Sequence, residues 1–198
     1  MIAILDYDAG NLASVKKALD FLGFPCFVTS DPREVERADK ILLPGVGHFS
    51  ATSNLEARGL SAIVRDAISR SIPLLGICLG MQWMFESSEE APGITGLALL
   101  PGRCQRFADQ VKVPHVGWNQ LQVRKGGRLF EGIPSGTFMY FTHSYWAPVV
   151  ECTTANCEYG STFSAAIECG NLFGVQFHPE KSGDVGLRIL RNFVELVG

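Results

Sequence analysis

A chain of 198 residues with 46% hydrophobic and 19% charged content can bury one sizeable core, so a single domain over residues 1–198 is expected. A formal net charge of -3 with scattered Lys and Arg leaves no electrostatic footprint for nucleic acid; the one local cluster, Arg124-Lys125-Gly126-Gly127-Arg128, reads as a solvated hairpin turn. No uninterrupted apolar stretch is long enough to span a bilayer, and Met1–Asp6 reads directly as a strand without signal-peptide features, so a cytoplasmic protein is expected.

The first third alternates strands and helices. A strand over Ile2–Leu5 is followed by a turn at Asp6–Asn11 and by a helix over Leu12–Leu22, whose Val15, Leu19 and Leu22 share one face. A second strand covers Pro25–Val28. Asp31-Pro32-Arg33-Glu34 then combines an N-cap residue, Pro at the first helical position and Glu at the third, so a short helix begins there. The third strand, Lys40–Leu43, ends in Pro44-Gly45-Val46-Gly47, and helical pattern returns over His48–Arg70 with a break near Gly59. A fourth strand, Pro73–Ile77, leads into Leu79–Phe85, which reads as a helix. This succession predicts an α/β fold with a parallel sheet, helices on both faces and chemistry at the carboxyl ends of strands.

After Glu90 the pattern changes. Strand-like pieces around Leu97–Leu100, Cys104–Phe107, Leu121–Val123, Thr137–Phe141, Cys152–Cys157, Ser164–Glu168 and Leu172–Phe177 are separated by Gly, Pro and Asn turns, which predicts an antiparallel or mixed region. Gly183–Val197 closes as a helix with Leu187, Leu190, Val194 and Val197 on one side. Six cysteines without paired C-x-x-C spacing argue for reduced thiols rather than a disulfide framework or zinc site. Cys26, Cys104, Cys152, Cys157 and Cys169 are expected to be core or incidental, and no metal is expected.

Cys78 stands apart because Gly76-Ile77-Cys78-Leu79-Gly80 has the G-x-nucleophile-x-G form at a strand-to-helix turn. Flanking glycines remove the Cβ atoms that would clash at such a turn, and N–H groups at the helix start favour a thiolate and a developing oxyanion. Taken alone, these five residues also read as a buried cysteine between packing glycines. A thiolate nucleophile needs a base, and four histidines are available: His48, His115, His143 and His178. His178 follows a strand and precedes Pro179, which keeps it extended, so Glu180 two residues on can accept its second ring N–H. His143 is the rival base, and spacing does not separate the two. Pro44-Gly45-Val46-Gly47, otherwise a tight turn, can supply a second oxyanion donor.

Pro44–Gly47, Gly-Ile-Cys-Leu-Gly-Met-Gln at 76–82 and His-Pro-Glu at 178–180, spread across nearly the whole chain, resemble the class I (triad) glutamine amidotransferases. Within that family, Asp6-Tyr7 with Gly10-Asn11-Leu12, Pro114–Asn119, His143-Ser144-Tyr145 and His178–Ser182 resemble glutaminase subunits of imidazole glycerol phosphate synthases. Asp8 departs from the pattern, standing where the family more often has Gly. The resemblance implies a three-layer fold with a central mostly parallel sheet and an added antiparallel or mixed region. It also implies a Cys78–His178–Glu180 triad that hydrolyses L-glutamine through a cysteine thioester. N–H groups of Leu79 and of Val46 or Gly47 would hold the oxyanion; Gly45, Gln82, Glu90, Ser144 and Tyr145 would bind glutamine, Glu90 lying at the close of the helix from the elbow.

No cofactor is implied. The implied partner is a cyclase subunit, a (β/α)₈ barrel, joined as a heterodimer and using channelled ammonia to make imidazole glycerol phosphate and AICAR in histidine biosynthesis. Asn11, Trp118 and Lys181 would face that partner. Because a glutaminase without its acceptor wastes glutamine, the resemblance implies an isolated chain that is nearly idle and is switched on by partner binding and by ligand in the partner's site. Gly45 can occupy backbone regions closed to other residues, which makes the Gly45–Val46 peptide a place for such a switch. The competing readings are a glutaminase of another synthase, such as that for pyridoxal phosphate, a catalytically silent binding subunit and a cysteine peptidase.

Overall fold

Strands buried on both faces read as unbroken apolar runs, and three of the first four strands are of this kind. In the computed structural model, which describes residues 1–124 and 127–196, β1 (Ile2–Leu5), β2 (Cys26–Thr29), β3 (Lys40–Gly45) and β4 (Leu74–Cys78) alternate with α1 (Leu12–Phe21), α2 (Pro32–Val35), α3 (Ser53–Ala57) and α4 (Leu60–Ser69). Asp31 caps α2 by accepting from the Arg33 N–H at 2.9 Å, as its sequence pattern predicts. Gly59, at φ +70°, makes the break between α3 and α4.

The chain continues through α5 (Leu79–Gln82), β5 (Phe85–Ser88), β6 (Leu100–Arg106), β7 (His115–Gln120), β8 (Gln122–Val123), β9 (Phe138–His143), β10 (Tyr145–Trp146), β11 (Thr153–Glu158), β12 (Thr162–Cys169), β13 (Leu172–Val175) and α6 (Gly183–Glu195). The central sheet runs β2-β1-β3-β4-β13-β12-β11-β8, parallel as far as β13 and antiparallel beyond it. Two smaller sheets, β10-β6-β5 and β7-β9, carry the rest. One core cluster packs Val15 and Leu19 of α1 with Ile189, Leu190 and Phe193 of α6; another packs Leu55 of α3 with Leu60 and Val64 of α4. The insertion of β13 beside β4 brings the His178 segment to the end of the strand that carries Cys78.

Several expectations need correction. The helix predicted over Leu79–Phe85 is one turn, Leu79–Gln82, after which the backbone pairs as β5 with β6. Residues 97–99 form no strand, since β6 begins at Leu100, while β7 and β10 were not predicted as strands. Cys152 and Cys169 are joined, their Cα atoms 5.4 Å apart, because antiparallel pairing of β11 with β12 brings Cys152, just before β11, level with Glu168 and beside Cys169 at the end of β12, 17 residues on in sequence. Cys26, Cys78, Cys104 and Cys157 are free thiols. Of the proposed hairpin cluster, Lys125 and Gly126 lie outside the described residues, as does Val197. Among the described residues no helix is long and apolar enough to cross a membrane, and no cluster of His, Cys, Asp and Glu could hold a metal ion.

The elbow glycines act through close packing. A Cβ on Gly80 would run into the carbonyl oxygen of Leu43 in β3, and one on Gly76 would lie 2.6 Å from the carbonyl carbon of Gly80. Gly80→Ala should therefore destabilise the fold by about 3 kcal/mol or more, as overpacking against rigid backbone does. Gly93→Ala, where nothing lies within 4 Å of the added atom, should stay within about 0.5 kcal/mol of the parent. Urea unfolding of both variants checks this pair.

Candidate active site

Cys78 ends β4 at φ 53°, ψ -107°, outside the regions that L-residues ordinarily occupy, so packing must hold it there. The holding contacts are the glycine approaches just described and the pairing of Gly45 with Cys78 across β3 and β4. The first donor groups after the nucleophile belong to the single-turn helix α5, so any aid to an oxyanion comes from local N–H groups such as that of Leu79 rather than from a long helix dipole.

His178 and Glu180 meet as the extended backbone before Pro179 predicts: His178 Nδ1 lies 2.8 Å from Glu180 Oε1, and both side chains are 1% exposed. Burial alone would push the imidazole toward neutrality. The attraction of Cys78, together with the bond to Glu180 and its charge, outweighs burial and raises His178 from 6.5 to about 10. Its Nε2 is buried and makes no hydrogen bond among the described residues, which leaves that nitrogen free on the ring that Cys78 attracts.

His143, the rival base, is committed elsewhere. Its Nδ1 lies 2.8 Å from the Tyr145 carbonyl, which can only accept, so Nδ1 carries the proton and Nε2 accepts from His115 Nδ1 at 3.1 Å. His115 Nε2 is met in turn by Asn119 Nδ2 at 3.4 Å. Burial holds both rings neutral, His143 at about 3 and His115 at about 4. His143 and His178, both buried, thus have opposite charge preferences, and of the two only His178 has a carboxylate partner; His143 and not His178 is among the residues lining the neighbouring cavity.

A cavity of about 130 Å³ is lined by Val46, Gly47, Cys78, Leu79, Gln82, Glu90 and residues 142–145. Three larger hollows, of about 460, 440 and 370 Å³, are lined by none of the histidines and no thiol, so volume does not identify the site. Gly47 takes φ +104° at the cavity wall, whereas Gly45 lies in β3 with the Tyr7 hydroxyl and Leu79 where a Cβ would be; Gly45 is not among the lining residues. Glu90 reaches the cavity from the turn after β5, not from the end of a helix, and its Oε2 accepts the Phe49 N–H at 2.7 Å just beyond the Val46-Gly47 loop. Ser144 and Tyr145 come from the β9–β10 junction.

Gln82 donates both amide protons inward, to the Tyr145 carbonyl at 2.8 Å and to Gln176 Oε1 at 3.0 Å. Gln176, which the sequence reading passed over, is fully buried and points its Nε2 at Cys78 Sγ, 3.5 Å away. The available signal was a lone polar side chain in the apolar run Leu172–Phe177, two residues before His178.

Outside the cavity, Trp118 is 55% exposed and Lys181 is exposed on the turn after His178. Val116 and Phe138, 56% and 51% exposed, extend an apolar strip along the outer face of β7 and β9. Asn11 precedes α1 without a side-chain capping bond. Asp8 takes φ +64°, which explains the fit of Gly at such a turn; it is secured by a bond from its own N–H to Asp6 Oδ1 at 3.1 Å and by an ion pair with Arg58.

The glutamine amidotransferase class-I family model matches residues 3–196. The chain belongs to this family. It is 53% identical to imidazole glycerol phosphate synthase subunit HisH of Moorella thermoacetica, over 99% of this chain and 95% of that one. It is 46% identical to the HisH subunit of Methanocaldococcus jannaschii over the full length of both. Among solved structures, a glutamine amidotransferase crystal structure superposes with TM-score 0.77 at 21% identity, covering 98% and 97% of the two chains. A structure of PurLQS from Thermotoga maritima gives 0.75 at 19% identity, covering 98% and 96%. These last two share the amidotransferase fold.

The protonation of His178 is directly measurable. Its folded-state affinity is raised, so its stabilising contribution is complete below pH about 6.5 and is lost as pH rises through about 10. An imidazole NMR titration should find His178 protonated above pH 8. Cys78→Ala, which removes the sulfur's attraction, should move that midpoint down.

Proposed function

We propose that the chain works as one glutamine amidotransferase domain, a glutaminase that supplies ammonia to a cyclase partner, a (β/α)₈ barrel, within imidazole glycerol phosphate synthase. The observation carrying this reading is a strained Cys78 that shares a cavity with the Val46-Gly47 loop and whose attraction acts on the buried His178–Glu180 pair, in a chain 53% identical to a HisH subunit.

The sulfur anion of Cys78 attacks the side-chain carbonyl carbon of L-glutamine, and the oxygen develops charge against N–H groups of Leu79 and of Val46 or Gly47. His178 donates its proton to the leaving nitrogen as the C–N bond breaks, releasing ammonia. Water then adds to the thioester, giving its proton to His178; the C–S bond breaks, and glutamate leaves. Glu180 holds the imidazole in one orientation and stabilises its protonated form. Glu90 and the carbonyl of Gln82 suit the substrate ammonium, while Ser144 and Tyr145 line the far wall. This chemistry calls for no cofactor, and a cytoplasmic location suits a biosynthetic enzyme of this kind.

The apolar strip of Val116, Trp118 and Phe138, with Asn11 and Lys181, is the surface we assign to the cyclase, which would make imidazole glycerol phosphate and AICAR from the ammonia. The Tyr140 carbonyl on β9 accepts the His178 N–H at 2.9 Å, so this face joins the catalytic segment directly. That connection gives partner binding a mechanical route to the site and supports activation on assembly.

Cys78→Ala should abolish glutamine-dependent synthesis by the complex while leaving synthesis from added ammonium salts intact. Equal loss with both nitrogen sources would make Cys78 structural and end this reading. Trp118→Ala should weaken association with the cyclase by about 2 kcal/mol or more, as loss of a central aromatic anchor does. Analytical ultracentrifugation of the mixed subunits, with circular dichroism of the variant, measures that loss.

A further inference from the structure

Two buried side-chain amides stand between the Tyr145 carbonyl and Cys78, and their orientations can be assigned without seeing hydrogens. A backbone carbonyl accepts only, so the Gln82 atom 2.8 Å from it is the amide nitrogen. The second proton of that nitrogen points at the Gln176 side chain 3.0 Å away, which must present its oxygen. The remaining end of Gln176, 3.5 Å from Cys78 Sγ, is therefore an N–H donor. The register supports the aim: Val175 pairs with Ile77 in parallel strands, so Gln176 lies level with Cys78, and its own N–H is fixed to the Ala165 carbonyl at 2.9 Å.

We propose that Gln176 is a catalytic residue, which donates its side-chain N–H to the sulfur anion of Cys78 before attack and again when sulfur leaves the thioester. This rests on the glutaminase reading and adds a group that touches the reacting atom. Gln82 is then a positioning residue as well as a wall of the cavity, because both of its protons are used to fix Gln176 and β10. An amide suits the place: it donates to sulfur without bringing a charge that would compete with His178 for the proton. The titratable groups around the thiol are consistent with that task. His178 carries the compensating positive charge, Tyr7 is kept un-ionised by burial and by Cys78, and Glu90 and His143 line the cavity, the latter neutral.

The test is the pH dependence of Cys78 alkylation by iodoacetamide in the full chain, with labelling at residue 78 followed by peptide mass, in the parent, Gln176→Leu and Gln176→Glu. Loss of a hydrogen bond to a charged acceptor should raise the midpoint for Gln176→Leu by about one to two pH units. Gln176→Glu, which keeps an oxygen toward Gln82 but turns a carboxylate on the sulfur, should raise it further. In complex with the cyclase, each variant should lose about 10-fold or more in kcat for glutamine hydrolysis, with KM within about threefold. Circular dichroism melts select the variants that fold, and either one suffices. Midpoints equal to the parent's, whatever the activity, would make Gln176 a structural residue and overturn the proposal alone. A parent complex that releases no glutamate from glutamine would overturn the glutaminase reading beneath it.

Discussion

The elbow at Cys78 is the constraint on which the rest depends. A cysteine at φ 53°, ψ -107° is unfavourable by about 1–3 kcal/mol on its own. It persists because α5 is pressed onto β3 and β4 until backbone meets backbone at Leu43, Gly76 and Gly80. That approach is possible only without side chains at 76 and 80, and it fixes where the thiol points. The groups around the thiol are placed relative to it: Gly45 by strand pairing, Gln176 by register in the next strand, His178 by the turn that follows.

Electrostatics then sorts histidines that composition treats alike. His143 and His178 are both buried, and burial alone would discharge both. His143 faces a backbone carbonyl and another neutral ring, so desolvation wins. His178 lies between a carboxylate and a sulfur, and their combined attraction exceeds the same penalty. The difference resides in two neighbours rather than in depth, which is why spacing does not separate the two rings while their three-dimensional contacts do.

What was legible in the sequence follows from how local its cause is. The parallel strands, the α2 cap, the break at Gly59 and the elbow were readable because each is set within a few residues by periodicity or by glycine. The His178–Glu180 contact was readable for the same reason, through Pro179. Glu90 was associated with the cleft for the wrong geometric reason, since the helix expected to carry it stops at Gln82 and a β-turn delivers it instead. Gln176, the His115–His143 pair and the Cys152–Cys169 link were hidden because each depends on strand pairing between segments far apart in the chain.

The same strand pairing ties the outer surface to the chemistry. Along β9, alternate side chains point to opposite sides: Met139, Phe141 and His143 are buried, while Phe138, Tyr140 and Thr142 turn toward the other face. The inward set packs the core and ends at the cavity. The outward set shares its face with Val116 and Trp118 of β7. The backbone of this strand meanwhile holds the turn that carries His178: the His178 N–H donates to the Tyr140 carbonyl at 2.9 Å, and the Tyr140 N–H donates to the Ser182 hydroxyl at 3.0 Å. A force applied to the exposed face therefore reaches His178 through one strand and two hydrogen bonds, without crossing the central sheet. In a protein whose interior is close-packed and has little room to yield, so short a path couples the exposed face of the β7–β9 pair to the position of His178.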